Sequence, residues 1–422
     1  MPANLRLVVV AQEFPYPPLH GGRADVWRRL CAMKMSGVQI ALVCWYDDCP
    51  RSRPSAQDLA KVNEVAVLVE AMPVPRGLGA ALRRIVRIAG GVPSHAAARM
   101  MDRPTSMRLV SRLADFKPVA VLLESPYGGV FARDVCKHLD VPLYYRSHNI
   151  EHRYFAGQAR AAAQWRDRLA WRLACIHLAR FEQRLMQQAK ISFDISADDL
   201  VYWRDKGVCN GTWLPPLPEP ALHNMALVAS GSPPAREVVY LGNLHAPNNV
   251  QALHWLVGEV MPIVWQRRPE TQLTIGGSHP GAVVRTLVAT HPQVQLLENV
   301  GDAPELLASA TVLVNPARSG SGVNVKTLDM LMTDRVVVST SQGVAGLVPQ
   351  IKALCRIADS PAQFAEEVLL ALQAPTIELA ARAAGRQLFS TAAVEAAVTA
   401  MSPLLPKTSA ESRKQTDTAA AQ

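Results

Sequence analysis

Between residues 312 and 329 an apolar run, Val312-Leu313-Val314, gives way to Asn315-Pro316-Ala317-Arg318-Ser319-Gly320-Ser321-Gly322. Val323-Asn324-Val325-Lys326-Thr327-Leu328-Asp329 then follow. The pattern reads as a strand, a glycine-bearing loop and a helix. Gly320 and Gly322 let the backbone come close to an anion, and the first N–H groups of the helix then point at it. A helix end offers a phosphate about 0.3–2 kcal/mol. Arg318 lies just before the loop and Lys326 one turn into the helix. Asp329 is three residues further and shares a side with Lys326, so a cation can meet a diphosphate while a carboxylate accepts ribose hydroxyls. The glycines alone fit a plain turn equally well.

Three other short segments stand where an apolar run ends. They are Gly21-Gly22 after the first run, Arg146-Ser147-His148-Asn149, and Tyr240-Leu241-Gly242-Asn243-Leu244-His245. Ligands of parallel sheets sit at the carboxyl ends of strands, so all four segments are candidates for one cleft. His148 reads either as an active-site residue or as a core histidine capping its own strand.

The elements that must position these residues form two series. Apolar runs at Leu5–Ala11, Val38–Trp45, Val65–Val69, Val119–Leu123, Pro142–Tyr145 and Ile191–Ile195 alternate with helical stretches. The longest helical pattern runs from Gln158 to Lys190, with Trp165, Leu169, Leu173, Ile176 and Leu185 on an apolar stripe among six arginines. A second series follows at Val238–Leu241, Gln272–Ile275, Val294–Leu297, Thr311–Val314, Val336–Ser339 and Leu354–Ile357. Alternation of this kind predicts an α/β chain with two doubly wound parallel sheets facing a cleft. The boundary is a proline-rich strap over 215–236, since proline fixes the backbone and removes donors. The expected organisation is a first domain over 1–214 and a second over 237–372. A helical segment over 373–406 is expected to pack back towards the first domain, and 407–422 forms a polar, disordered tail.

Composition narrows the class. The chain has 422 residues, 49% of them hydrophobic and 19% charged, the balance of a globular protein with two domains. Seven dispersed cysteines without a C-x-x-C pair argue against a disulfide framework and a zinc site. No run approaches the 18 apolar residues of a membrane span, so a cytoplasmic location is expected. The net charge is +9, concentrated between Arg76 and Arg112, where eight arginines face the single acid Asp102. That stretch has no aromatic residue for base stacking, which disfavours nucleic acid. Leu78, Leu82, Ile85, Val86 and Ala89 fall on one side of a helical wheel, with Arg76, Arg83 and Arg87 opposite. The segment suits either a peripheral seat on an anionic membrane surface or a domain helix with its apolar side in the core.

The segment Gly320 to Met332, the strand Val336–Thr340 and the following Gly343-Val344-Ala345-Gly346-Leu347 resemble the donor-site signature of glycosyltransferase family 4. Tyr240 to Asn249, Gly21-Gly22 and Arg146 to Asn149 match the same bacterial branch. The resemblance implies a GT-B fold and a retaining transfer from a nucleotide sugar, with no bound metal and no cofactor. It implies a saccharide or lipid-linked acceptor in polysaccharide or envelope glycan assembly. By the same resemblance Gly242 and Asn243, with Arg318, Gly320, Ser321, Gly322, Val323 and Lys326, surround the donor diphosphate. Asp329 takes the ribose, backbone around Leu297–Val300 the base, and Gly21 and Gly22 close over the donor. His148 faces the transferred sugar and, with Lys326, forms the catalytic set.

The chain departs from the family pattern in two places. Ser321 and Asp329 stand where many members carry two glutamates, and Asn243 with Asn248 or Asn249 stands where many carry an Arg and a Lys. These departures motivate an alternative, a catalytically degenerate protein that binds a nucleotide sugar or a partner. A dinucleotide oxidoreductase is disfavoured, because Gln12-Glu13-Phe14-Pro15 and not Gly-x-Gly-x-x-Gly follows the first run.

Overall fold

A computed structural model of the chain describes residues 5–19, 21–49, 52–162, 164–225, 235–320 and 322–402. The strands are β1 (Arg6–Ala11), β2 (Gln39–Asp47), β3 (Leu68–Val74), β4 (Ala120–Glu124), β5 (Leu143–Ser147), β6 (Ser192–Asp194) and β7 (Gly211–Trp213). They form one parallel sheet in the order β3-β2-β1-β4-β5-β6-β7. A second parallel sheet holds β8 (Arg236–Asn243), β9 (Leu273–Ser278), β10 (Val294–Glu298), β11 (Ala310–Asn315), β12 (Val336–Ser339) and β13 (Arg356–Ile357). Its order is β10-β9-β8-β11-β12-β13. Both sheets are covered by helices on both faces, so their central strands read as unbroken apolar runs; Val8, Val9 and Val10 are fully buried. The expected pair of doubly wound sheets is what the chain forms.

Each sheet reverses its strand order once, between β1 and β4 and between β8 and β11. A crevice opens at such a switch point, beyond the carboxyl ends of the strands. Gly21, Glu124 and His148 follow the switch strands of the first sheet or lie beside them, and Gly242 and Asn315 end those of the second.

Several elements differ from the sequence reading. β3 starts three residues late and runs through Pro73, which an edge strand tolerates because proline's missing N–H faces away from its partner. The single helix expected over 158–190 is three, Glu151–Ala161, Trp165–Ala174 and Leu178–Gln188. Trp165, Leu169, Leu173 and Ile176 therefore lie exposed and not on a buried stripe. The short β7 has no apolar run to announce it. Leu214, just before the strap, and Leu217 within it are buried in the first core and Leu222 in the second; residues 226–234 and the tail lie outside the described residues.

After the second sheet the chain returns. Helix Leu379–Gln387 stays on the second domain, its buried Arg382 donating to the carbonyls of Thr333 (3.2 Å) and Leu354 (3.3 Å). Helix Thr391–Met401 crosses to the first domain, where Val394, Ala397, Val398 and Met401 join the core and Tyr144 Oη donates to the Ala400 carbonyl at 3.1 Å.

Candidate active site

On the first domain, helix Gly21–Met35 begins with the glycine pair and carries Asp25, Arg28 and Arg29 on its buried side. Arg29 donates to Glu124 Oε1 at 2.9 Å and Oε2 at 3.0 Å, and to Asp25 Oδ2 at 3.1 Å. Arg146 pairs with Asp25 and donates to the Leu214 carbonyl at 3.2 Å. The His148 ring closes the group, with Nδ1 3.2 Å from Asp25 Oδ2 and Nε2 3.0 Å from Glu124 Oε2. Both ring nitrogens face carboxylates, an arrangement that favours the protonated ring. Burial alone would lower its pKa, but the hydrogen bonds to Asp25 and Glu124 outweigh burial and raise it. Glu124 falls to about 2, since Arg29 and the His148 hydrogen bond overcome a desolvation cost that would raise it. No ring nitrogen of His148 is left for a sugar hydroxyl.

On the second domain, β11 ends at Asn315, whose Nδ2 donates to Thr327 Oγ1 at 2.7 Å; Thr327 in turn donates to the Gly343 carbonyl at 2.6 Å. These two bonds fix the glycine loop, the helix Val325–Leu331 and the loop after β12 to one another. The helix is only seven residues long, and what it presents at the cleft is its first amides and Lys326. Lys326 Nζ donates to Asn249 Oδ1 at 3.1 Å and Tyr240 Oη at 3.3 Å, and lies 4.7 Å from the centre of the Tyr240 ring. Its partners are all neutral, and burial lowers its pKa to about 7. Asn249 is itself held by the Asn243 carbonyl at 2.9 Å, while Asn243 Oδ1 accepts from the His245 N–H at 3.0 Å. A Cβ on Gly242 would lie 2.7 Å from Tyr240 Oη, so glycine there leaves the phenol free to meet Lys326. Arg318 is exposed and lies 5.1 Å over the Trp255 ring. Gly320 is exposed next to it, and Ser321 lies outside the described residues.

The two edges touch. Gly322 adopts φ +67, and a Cβ there would sit 2.3 Å from Asn149 Oδ1 and 2.5 Å from the His148 carbonyl. Only glycine accepts both that dihedral and that approach. Gly21 lies against Val325, 3.8 Å from its Cγ2 to a Cβ position, and half-buried Gly22 follows it in the helix. Val323 is buried in a cluster with Ile195 of the first domain. Gly346 donates its N–H to Asp198 Oδ2 at 2.9 Å and accepts from the Ala197 N–H at 2.9 Å. Asp329 is bound from both sides. Arg28 donates to its two oxygens at 3.1 and 3.2 Å, and the Glu219 N–H donates to Oδ1 at 2.8 Å. A ribose reaching this carboxylate has to displace or share those donors.

Sequence reasoning missed Asp25, Arg28, Arg29, Glu124 and Glu219. Asp25 and Arg29 stand one helical turn apart, a spacing that marks an intrahelical pair. The partnership of Arg28 with residues about 190 and 300 positions away leaves no local signal. Among the described residues, no group of three His, Cys, Asp or Glu side chains is placed to hold a metal ion.

Residues 235–374 match a family model described as Glycosyl transferases group 1. An uncharacterized 44.6 kDa protein from the cps region of Klebsiella pneumoniae is 25% identical over 394 residues, 86% of this chain and 90% of that one. Among solved structures, Anabaena Alr3699/HepE in complex with UDP superposes with a TM-score of 0.62 at 12% identity, covering 94% of this chain and 98% of that one. A glycosyltransferase from Rickettsia africae gives a TM-score of 0.62 at 10% identity, with 95% and 98% covered. WaaG, a glycosyltransferase involved in lipopolysaccharide biosynthesis, gives 0.55 at 15% identity, with 94% and 99% covered. The fold is GT-B. Within that architecture the carboxyl edges of both sheets face one cleft, and Lys326, His148 and the three glycines Gly21, Gly242 and Gly322 all lie at it.

Proposed function

We propose that the chain is a retaining, metal-independent glycosyltransferase of family 4. It moves a sugar from a nucleotide diphosphate to a saccharide or lipid-linked acceptor in polysaccharide or envelope glycan assembly, at the cytoplasmic side of a membrane. The observation that carries the reading is Lys326: a cation at the switch point of the second sheet whose partners, Tyr240 and Asn249, are neutral. An anionic ligand supplies the charge its surroundings lack. The bound UDP in the Anabaena structure and the cps setting of the Klebsiella relative support this choice, since fold alone does not select a reaction.

In the transfer, the bond from the anomeric carbon to the diphosphate oxygen breaks and an acceptor hydroxyl oxygen bonds to that carbon. Lys326, Arg318 and the amides of the 320–325 loop meet the charge that grows on the departing diphosphate. His148 has no free nitrogen to take the hydroxyl proton. The proton therefore passes to the departing diphosphate oxygen, which lies on the face where a retained bond must form. Domain contact through Gly21, Gly322 and Gly346 excludes water from this step.

The test is a thermal-shift screen of the purified chain against UDP-, GDP-, ADP- and dTDP-sugars. Ligand at 100 times its dissociation constant adds about 2.7 kcal/mol, enough to move the midpoint by a few degrees. A selective shift that Lys326→Ala removes supports the donor site. A degenerate binding protein is the second reading, favoured by the Arg28–Asp329 pairing and the asparagines beside Lys326. It predicts the same shift with neither transfer nor hydrolysis of the sugar.

A further inference from the structure

At the carboxyl edge of the first sheet, beside the cleft, lies a second cavity of about 740 Å³. The ends of β2 and β3 form one wall, through Trp45, Asp47 and Met72, and the helices Leu78–Ala89 and Ser94–Arg99 form the other. Five arginines line it, Arg76, Arg83, Arg84, Arg87 and Arg99, against the two acids Asp47 and Asp102. Of these five, only Arg76 forms an ion pair among the described residues, with Asp47 at 3.9 Å; Asp102 acts on Arg83 and Arg87, and Asp47 and Glu13 on Arg99, at longer range. The others are oriented by neutral groups or by none. Arg84 donates to the Ser94 carbonyl at 3.0 Å, and Arg87 to the carbonyls of Ala97 and Met100, each at 2.8 Å. Arg99 donates to the Gln12 carbonyl at 2.9 Å and lies 5.3 Å over the Tyr127 ring. Burial lowers the pKa of Arg84, Arg87 and Arg99 from the ordinary arginine value, and the acids near Arg87 and Arg99 offset only part of that cost.

The same helix has an apolar outer face. None of its residues is buried. Leu78 is 91% exposed, and Leu82, Ile85 and Val86 are 62–65% exposed. The sequence left two seats for these side chains, a core or a membrane, and the fold gives them no core. Arginines that turn inward to a cavity and leucines that turn outward from one helix suit a ligand with an anionic head and a hydrocarbon chain.

We propose that this cavity and helix face together form the acceptor site, and that the acceptor is a phosphate-bearing, lipid-linked glycan. Its phosphate enters the arginine cavity, its chain follows Leu78, Leu82, Ile85 and Val86 into the bilayer, and its sugar reaches the cleft past Arg99 and Tyr127. The proposal rests on the glycosyltransferase reading and names its acceptor class. A free sugar phosphate would fill the cavity but leave the apolar face bare.

The experiment titrates the full chain with farnesyl diphosphate, inorganic diphosphate and farnesol by calorimetry, after UDP binding has been measured. The titrations are run with UDP saturating and again on Lys326→Ala, which keeps the donor cleft out of the result. Farnesyl diphosphate is expected to bind at least about tenfold more tightly than either fragment, because head and chain add. Arg83→Ala, whose side chain makes no hydrogen bond or ion pair among the described residues, lowers that affinity about tenfold and leaves UDP binding unchanged. Leu82→Ser with Ile85→Ser reduces it to the level of inorganic diphosphate. Equal affinity for inorganic diphosphate makes the cavity a site for free anions and overturns the lipid-linked acceptor. Equal affinity for farnesol, or variants without effect, overturns the site altogether. Absence of UDP binding in the wild type sinks the transferase reading instead, and the Lys326→Ala titration still decides the cavity.

Discussion

Arg28 and Asp329 join the two domains through a bidentate pair, with Nη1–Oδ1 at 3.1 Å and Nη2–Oδ2 at 3.2 Å. Arg28 also holds the Leu217 carbonyl and Glu219 of the strap, at 3.0 and 2.8 Å. Helix one of the first domain, the strap and the donor-side helix of the second thus meet at one guanidinium. Residues in contact couple by about 0.5–3 kcal/mol. A double-mutant cycle of Arg28→Ala and Asp329→Ala, read by denaturant melts, is expected to show such coupling without ligand. With saturating UDP the coupling falls towards zero if ribose takes over the carboxylate. Coupling that ignores UDP places the ribose elsewhere.

Lys326 links donor binding to pH. Its pKa of about 7 rises when a diphosphate arrives, because an anion favours the charged amine. Above pH 7 binding therefore takes up a proton, and donor affinity falls as pH climbs through and beyond 7. Calorimetry of UDP binding at pH 8 in buffers of different ionisation enthalpy measures the uptake directly. Lys326→Ala abolishes it and lowers kcat/KM by about 10²–10³.

His148 makes the opposite prediction for stability. Its folded pKa lies above its unfolded value, so its contribution is complete below about pH 6.5 and fades as pH rises through the folded pKa. His148→Gln removes one of the groups that donate to Asp25 and Glu124, which keep Arg29 and Arg146. Losing a hydrogen bond to a charged group costs about 1.5–3 kcal/mol. The difference in melting midpoint between wild type and variant should be largest near pH 6 and shrink towards pH 9. A difference that does not change with pH would mean a neutral ring.

Gly322 is the narrowest point between the domains. In Gly322→Ala the new methyl meets Asn149 and the His148 carbonyl, and left-handed backbone adds about 1–2 kcal/mol. The 320–324 loop is expected to move away from the first domain, with transfer lowered at least about tenfold and the separate cores intact by circular dichroism. A glycine-like rate in the alanine variant would show that the contact is dispensable.

Much of this architecture can be read along the chain. Alternating apolar runs and helical stretches specify two parallel sheets, because a strand buried on both faces has no polar side to keep. The glycine loop, Lys326 and Gly242 are equally legible, since each lies where an apolar run ends. Contacts across the cleft are not. Arg28 and Asp329 are each an ordinary helix residue until two domains are folded and docked, and Asn249 becomes the neighbour of Lys326 only when β8 lies beside β11.

What the sequence determined by itself was therefore periodicity and punctuation: which segments bury, where strands end, and which side chains stand at those ends. Tertiary structure alone decided the charge state and the partners of those side chains. It set His148 between two carboxylates, tied Asp329 to Arg28, left Lys326 among neutral groups and turned Leu82 and Ile85 outward. The physical reason is one of range. Strand and helix preferences act over a few residues, whereas burial, pairing and a shifted pKa depend on neighbours that only the packed chain brings within a few ångströms.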